Sequence, residues 1–260
     1  MFAAILKICR NLLQPFGRFL VQQVPATKVI RMATPDSFKD RTHAGKLLAQ
    51  ALAAYASRPD VLVLALPRGG VPVGFAVAQA LGVELDVMLV RKLGLPGHEE
   101  YAMGAVGAGG VRVVQAGLIE SGLVTEEQIE AASERELGEI ERRGRLYRAG
   151  RPPPVLEGRC VILVDDGIAT GATLRAAVEV VRQNKVARLV VAAPVGAPDS
   201  VAALAPEVDE LVCLSTPFQF HAVSQWYCHF DQTSDEEVQD LLAVAWRDQA
   251  AARPHSSEQA

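Results

Sequence analysis

The chain has 260 residues, half of them apolar and 22% charged, with a formal net charge of −4. That length buries a full core and suits one large domain, or one domain with an appendage. A slightly acidic balance offers no broad phosphate-contact surface, so composition argues against nucleic-acid and anionic-membrane partners.

Cys9, Cys160, Cys213 and Cys228 show no metal-ligand spacing. Cys160 and Cys213 adjoin or lie in apolar runs and read as buried thiols of a reducing cytoplasm. No stretch reaches the ~18 uncharged apolar residues of a membrane span. Residues 1–31 carry Lys7, Arg10, Arg18, Lys28 and Arg31 and no acid. A targeting peptide or a basic surface helix has that composition, and so does an upstream extension of the reading frame ahead of Met32. The extension is the reading adopted, and this basic segment is set aside from the fold.

Apolar spacing predicts a helix over 42–54. "DVLVLAL" (60–66) is a continuous β-rich run of the length of a buried parallel strand, and it ends in "PRGG" (67–70). An alanine-rich helix is expected over 71–81 and a second strand over 85–90. The stretch that follows, to residue 110, is glycine-rich, charged and poorly periodic; "VRVV" (111–114) closes a small hairpin. Thr125 and Gln128 have capping-box spacing, and Ile129, Ser133, Leu137, Ile140, Gly144 and Tyr147 follow a helical stripe, so a helix is expected over 125–148. "PPP" (152–154) breaks it. A strand over 160–164, a helix near 171–183, a strand over 188–193, a short helix near 198–205 and a strand over 210–214 complete the pattern. Residues 247–260 read as a flexible tail.

Strands alternating with helices imply βαβ units and a mainly parallel sheet covered on both faces: an α/β fold in one domain over 37–246. Ligands of such sheets bind at the carboxyl ends of the strands. "PRGG", "RKLGLPG", "DDGIATGAT" and "STPFQF" all fall there.

"VILVDDGIATGAT" (161–173) is the most informative stretch. Strand, small-residue turn and helix gather backbone N–H groups around an anion. The stretch is neither a GxxxxGK[ST] loop nor a GxGxxG fingerprint. Two acids would repel a polyphosphate, yet they accept hydrogen bonds well from vicinal hydroxyls. A phosphate beside a diol describes a ribose phosphate. The bland alternative is that Asp166 starts a turn and the threonines cap the helix.

The same stretch resembles the signature of the type I phosphoribosyltransferases: apolar strand, two acids, short loop, Thr-Gly-x-Thr. That resemblance implies a Rossmann-like parallel sheet with a small hood subdomain formed by chain-terminal segments. It implies that Asp165 and Asp166 bind the ribose hydroxyls of phosphoribosyl pyrophosphate (PRPP), and that Ile168, Ala169, Thr170, Gly171, Ala172 and Thr173 bind its 5-phosphate. "LPRGG" sits where the family places its pyrophosphate loop, which gives that role to Arg68 and Gly69. "RKLGLPG" (91–97) is similar to a segment of adenine phosphoribosyltransferases that leads into a mobile loop. It puts Arg91 and Lys92 on pyrophosphate and makes 93–110 a closing lid.

Hypoxanthine-guanine enzymes carry an acid where this chain has Ala169, which argues against 6-oxopurine acceptors. Phe218 or Phe220 would stack on a base, or else pack the hood. His98, Glu99, Glu100 and Tyr101 are the titratable cluster of the lid, and no general base is assigned among them. The implied activity is transfer of phosphoribosyl from PRPP to a nitrogenous acceptor with Mg²⁺ on the pyrophosphate. No dedicated protein metal ligand is named. A PRPP- or nucleotide-binding regulator without turnover is the alternative. Either reading places the protein in the cytoplasm and allows a homodimer.

Overall fold

The computed structural model describes residues 28–30, 37–115 and 117–252. Of the 1–31 extension, residues 1–27 and 31 lie outside the described residues; of the 247–260 tail, 253–260 do, whereas 247–252 are helical rather than loose. Among those described, six strands form one parallel sheet: β1 (Lys28–Ile30), β2 (Val61–Ala65), β3 (Glu84–Val87), β7 (Cys160–Val164), β8 (Arg188–Val195) and β9 (Glu210–Ser215). Their order across the sheet is β1–β9–β8–β7–β2–β3. A second, antiparallel sheet joins β4 (Val90–Leu95), β5 (His98–Gly107) and β6 (Val111–Val114). The helices are α1 (Arg41–Ala51), α2 (Gly70–Leu81), α3 (Glu126–Arg148), α4 (Ala172–Arg182), α5 (Pro198–Leu204) and α6 (Asp235–Ala252). None of them is long and apolar enough to cross a membrane.

Period-two alternation decides which face each strand residue serves. Val61, Val63 and Ala65 of β2 join the core beneath α1, α2 and α6, whereas Leu62 and Leu64 join the core beneath α4 and α5. β7 divides the same way, with Ile162 and Val164 on one face and Val161 and Leu163 on the other. Both strands are buried throughout, so they read as unbroken apolar runs rather than as alternating ones.

The capping box of α3 forms as expected: Gln128 N–H donates to Thr125 Oγ1 at 3.2 Å, and Thr125 N–H donates to Gln128 Oε1 at 3.0 Å. At its other end Arg148 donates from Nε to Asp86 Oδ1 and from Nη2 to the Val87 carbonyl, each at 2.9 Å. Trp246 Nε1 of α6 donates to the Leu85 carbonyl at 3.0 Å. These bonds clamp α3 and α6 to the edge strand β3.

Three elements depart from expectation. Residues 28–30, within the segment set aside, pair in parallel with β9, Lys28 lying opposite Glu210; a three-residue strand has too few positions to show a period. Helix α6 is unanticipated, although Ser234 caps it, accepting from Glu237 N–H at 3.1 Å. The third is the region 93–110, expected as an irregular lid. It is mostly the β4–β5 hairpin, and two of its glycines, Gly104 and Gly107, serve close packing. A Cβ on Gly104 would collide with the Val113 carbonyl, and one on Gly107 with the Val180 side chain on α4. Leu93, Met103 and Val106 are buried in the core shared with α3.

The Asp86–Arg148 pair is 9% and 7% exposed. Burial pushes the Asp86 carboxyl up, and the Arg148 charge draws it back toward ionisation. Removing the cation strands a buried carboxylate. Arg148→Leu is therefore expected to cost about 3–5 kcal/mol of stability, read by urea unfolding; a loss below about 1 kcal/mol would mean that the clamp contributes little.

Candidate functional site

The sheet order puts β2 beside β7, and from that junction the chain winds in opposite directions. β2 leads through α2 to β3 on one side, and β7 leads through α4 to β8 on the other. The carboxyl ends of these two neighbours therefore flank a crevice at the switch point. The turn 67–70 leaves β2 and the turn 165–171 leaves β7, so both sequence motifs meet there. The Pro67–Arg68 peptide bond is cis.

The two turns are in contact through glycine. A Cβ on Gly69 would overlap the Asp166 carboxylate, and one on Gly70 would sit 2.8 Å from the Val164 carbonyl and 3.0 Å from Asp165 Cα. Asp165 Oδ1 accepts from Asp166 N–H at 2.9 Å. Asp166 Oδ2 accepts from Arg41 Nε at 2.9 Å, and the Asp166 carbonyl accepts from the Tyr227 hydroxyl at 2.6 Å. Burial drives the Asp165 carboxyl well above the usual carboxylate range, and the adjacent Asp166 charge pushes the same way. Burial also raises Asp166, and the Arg41 hydrogen bond and charge oppose it. Two neighbouring, partly buried carboxyls have the chemistry to accept hydrogens from vicinal hydroxyls.

The loop after the acids divides into strut and cradle. Ile168 is buried; its N–H donates to the Val195 carbonyl at 2.8 Å, and its carbonyl accepts from Ala197 N–H at 2.8 Å. It extends the β7–β8 ladder, so its amide is spent, which corrects its assignment to the phosphate. Ala169 and Thr170 are exposed, and Gly171, at φ 72°, turns the chain into α4 without a side-chain cap. The N–H groups of Ala169, Thr170 and Gly171 donate to no backbone carbonyl among the described contacts. Ala172 N–H makes only a long 3.4 Å bond to Thr170 Oγ1. The exposed Thr173 lies in the first turn, where amides have no intrahelical acceptor. Uncommitted amides at a helix start, with two threonines, suit an anion.

The basic candidates come from the turn after β2 and from β4. Arg68 is half-exposed, with Nη1 3.9 Å from Asp235 Oδ1. Arg91 projects from β4 and donates from Nε to Glu136 Oε2 of α3 at 2.8 Å. Lys92 is exposed on the same strand. A narrow cavity of about 30 Å³ joins Leu66, Pro67, Met88, Arg91, Arg143 and Thr173, which brings Arg91 to the crevice. A wider groove of about 530 Å³, lined by Pro59, Phe75, Val83 and Ala245, opens at the amino ends of β2 and β3, the far end from the acids. Topology and chemistry, not volume, locate the site.

Phe218 is 95% exposed, whereas Phe220 is half-buried against the core. His98 is exposed at the start of β5; the side chains of Glu99, Glu100 and Tyr101 lie outside the described residues. Sequence reasoning missed Arg41, Tyr227 and Phe230, all of which support Asp166. "QWYCHF" signals an aromatic cluster, but nothing in "DRTHAG" sets Arg41 apart from an ordinary basic residue in a first helical turn.

The glycine contact is directly testable. Gly69→Ala must displace the Asp166 carboxylate or the turn itself. We expect about 1–3 kcal/mol of destabilisation from overpacking and at least about tenfold weaker binding of ribose 5-phosphate, read by calorimetry. Unchanged affinity would show that the turn and the acid are not coupled.

The comparisons run through the same segments. The family model described as the phosphoribosyl transferase domain matches residues 37–224. "Putative phosphoribosyl transferase Rv0571c" of Mycobacterium tuberculosis (strain ATCC 25618 / H37Rv) is 47% identical over 215 residues, 83% of this chain and 48% of the relative. Its counterpart in strain CDC 1551 / Oshkosh matches to the same extent. The chain thus spans about half the length of the curated relatives it matches. The crystal structure of TT1426 from Thermus thermophilus superposes with a TM-score of 0.73 at 45% identity, covering 79% of this chain and 97% of that one. A parallel sheet with a switch point, an acid pair above it and a family match across both turns lead to one conclusion: the chain belongs to the phosphoribosyl transferase domain family and has the type I phosphoribosyltransferase fold.

Proposed function

We propose that the protein transfers the 5-phosphoribosyl group of PRPP to a nitrogenous acceptor and releases pyrophosphate. The observation that carries this reading is the pair of neighbouring, partly buried carboxyls, Asp165 and Asp166, set beside the uncommitted amides of Ala169, Thr170 and Gly171. Diol and 5-phosphate of one sugar match those two sets of partners. Hydrogen bonds with a charged member contribute ~1.5–3 kcal/mol each, so a few of them supply much of the roughly 8 kcal/mol of micromolar affinity.

In the reaction the C1–oxygen bond breaks, its electron pair leaves with pyrophosphate, the lone pair of the acceptor nitrogen bonds to C1, and the proton of that nitrogen passes to water or to the released pyrophosphate. Positive charge builds on the ribose ring as that bond lengthens, as in glycosyl transfer generally. We assign the departing anion to Arg68, Arg91 and Lys92, and the turn holding Gly69 lies against Asp166. Arg91 would have to exchange or share its Glu136 partner to take that role. Among the described residues no three His, Cys, Asp or Glu side chains gather as a cation cage. Mg²⁺ would be held chiefly by the oxygens of pyrophosphate and by water, with few protein ligands, and would offset the charge of the leaving group. Ala169 in place of an acid speaks against a 6-oxopurine acceptor, and a cytoplasmic setting supplies PRPP.

The decisive measurement is pyrophosphate release with PRPP, Mg²⁺ and a panel of nucleobases. Release with one base names the acceptor; tight PRPP binding without release across the panel favours a regulatory binder instead. Asp165→Asn separates a ligand site from a structural turn. The folded-state pKa of Asp165 is raised, so its stability contribution is full below the unfolded pKa of ~3.9 and is lost as pH rises through the folded value. At neutral pH the burial that raises the Asp165 carboxyl works against folding. The asparagine variant is expected to melt no lower than wild type at pH 7 while binding PRPP at least about tenfold more weakly. A large drop in melting temperature with affinity retained would support the turn-capping alternative.

A further inference from the structure

Arg41 opens α1, whose N-cap Asp40 accepts from His43 N–H at 2.7 Å. Its side chain leaves that helix and reaches the crevice. Nε donates to Asp166 Oδ2 at 2.9 Å, Nη1 donates to the Asp231 carbonyl at 2.6 Å, and the guanidinium carbon lies 3.8 Å from the centre of the Phe230 ring. Edge, tip and face of the guanidinium are thus each fixed by a different group. The Arg41 and Asp166 side chains are only 12% and 15% exposed, so solvent screens this pair weakly.

The segment 227–231 grips Asp166 a second time, because the Tyr227 hydroxyl donates to the Asp166 carbonyl at 2.6 Å. Tyr227 in turn packs on Phe38 and Phe230, with ring centres 5.5 and 5.0 Å apart. This segment lies beyond residue 224, where the family match ends. The acid is consequently held by one residue from the start of the domain and by a segment outside the matched region.

We propose that Arg41 is a positioning residue that turns Asp166 Oδ2 toward the Gly69 turn, leaves Oδ1 for a ribose hydroxyl, and keeps the acid ionised when sugar phosphate binds. This rests on the functional reading above. The groups facing Asp166 are Arg41 from α1, Asp165 beside it in the chain, and Tyr227 from the 227–231 segment; Arg68 adjoins the Gly69 turn but points its guanidinium toward Asp235. Arg41 is the cation among those in contact, and burial already raises the acid. Without Arg41 the acid takes up a proton at higher pH, and a protonated pair accepts fewer hydrogen bonds from a diol.

The test compares PRPP affinity across about pH 5–9 by calorimetry for wild type, Arg41→Gln and Arg41→Lys, with pyrophosphate, which has no diol, as control ligand. Arg41→Gln is expected to weaken PRPP binding about tenfold or more at neutral pH, to move the acid limb of the profile to higher pH, and to change pyrophosphate affinity less than about twofold. Arg41→Lys should restore the position of the limb while leaving affinity short of wild type, since an ammonium lacks the fixed fork. If Arg41→Gln does not fold, Phe230→Leu removes the supporting ring and keeps the charge, with about threefold weaker PRPP binding expected. An unmoved acid limb, or equal losses for PRPP and pyrophosphate, overturns the role of Arg41. Wild-type protein that binds no PRPP at any pH overturns the functional reading itself, and this inference with it.

Discussion

Everything at the crevice depends on two strand-end turns coming within contact of each other, and that contact exists because residues 69 and 70 have no side chain. Neighbouring parallel strands run about 4.8 Å apart, so turns leaving the ends of β2 and β7 compete for the same space. Gly69 yields its share to the Asp166 carboxylate and Gly70 to the backbone of 164 and 165. On the other flank a Cβ on Gly167 would fall 2.6 Å from Val223 Cγ1. The acid pair is thus walled by backbone and by an aliphatic residue, with little water to solvate it.

That confinement has an electrostatic consequence. Adjacent carboxylates in a poorly solvated pocket raise one another's proton affinity, and the fold tolerates them only with compensation. Arg41 compensates Asp166 by direct hydrogen bond and Asp165 through its charge alone, while the N–H of Asp166 donates to Asp165. Natural folds keep such locally unfavourable arrangements where a ligand later supplies the missing partners. The buried Asp86–Arg148 pair is the contrasting case. There the arginine donates to the acid and to a main-chain carbonyl, so both charges are satisfied without any ligand, and its role is to hold α3 against β3.

Glycine carries opposite meanings in neighbouring regions. In the β4–β5 hairpin, Gly104 and Gly107 let a strand press against Val113 and against α4. Read along the chain, the same residues suggest a loose loop, because a missing side chain removes the periodicity that marks a strand. Gly97 at the hairpin tip, with φ at 78°, is the turn glycine of the segment, since few other residues adopt that conformation readily.

Local chemistry determined most of what this sequence discloses. β2 and β7 are legible because burial on both faces leaves apolar runs of unmistakable length, and α3 because its cap is written in four consecutive residues and its stripe recurs along the helix. The acid pair and the small-residue turn are legible for a similar reason, since both lie at consecutive positions of one short stretch. Other features are set by contacts between residues far apart in sequence, and only the tertiary structure could decide them: the pairing of residues 28–30 with β9, the strand character of 98–107, the engagement of the Ile168 amide in the β7–β8 ladder, and the reach of Arg41 across 125 positions to Asp166. A residue's spent or unspent hydrogen bonds depend on which segments arrive beside it, and no local window of sequence records that arrival.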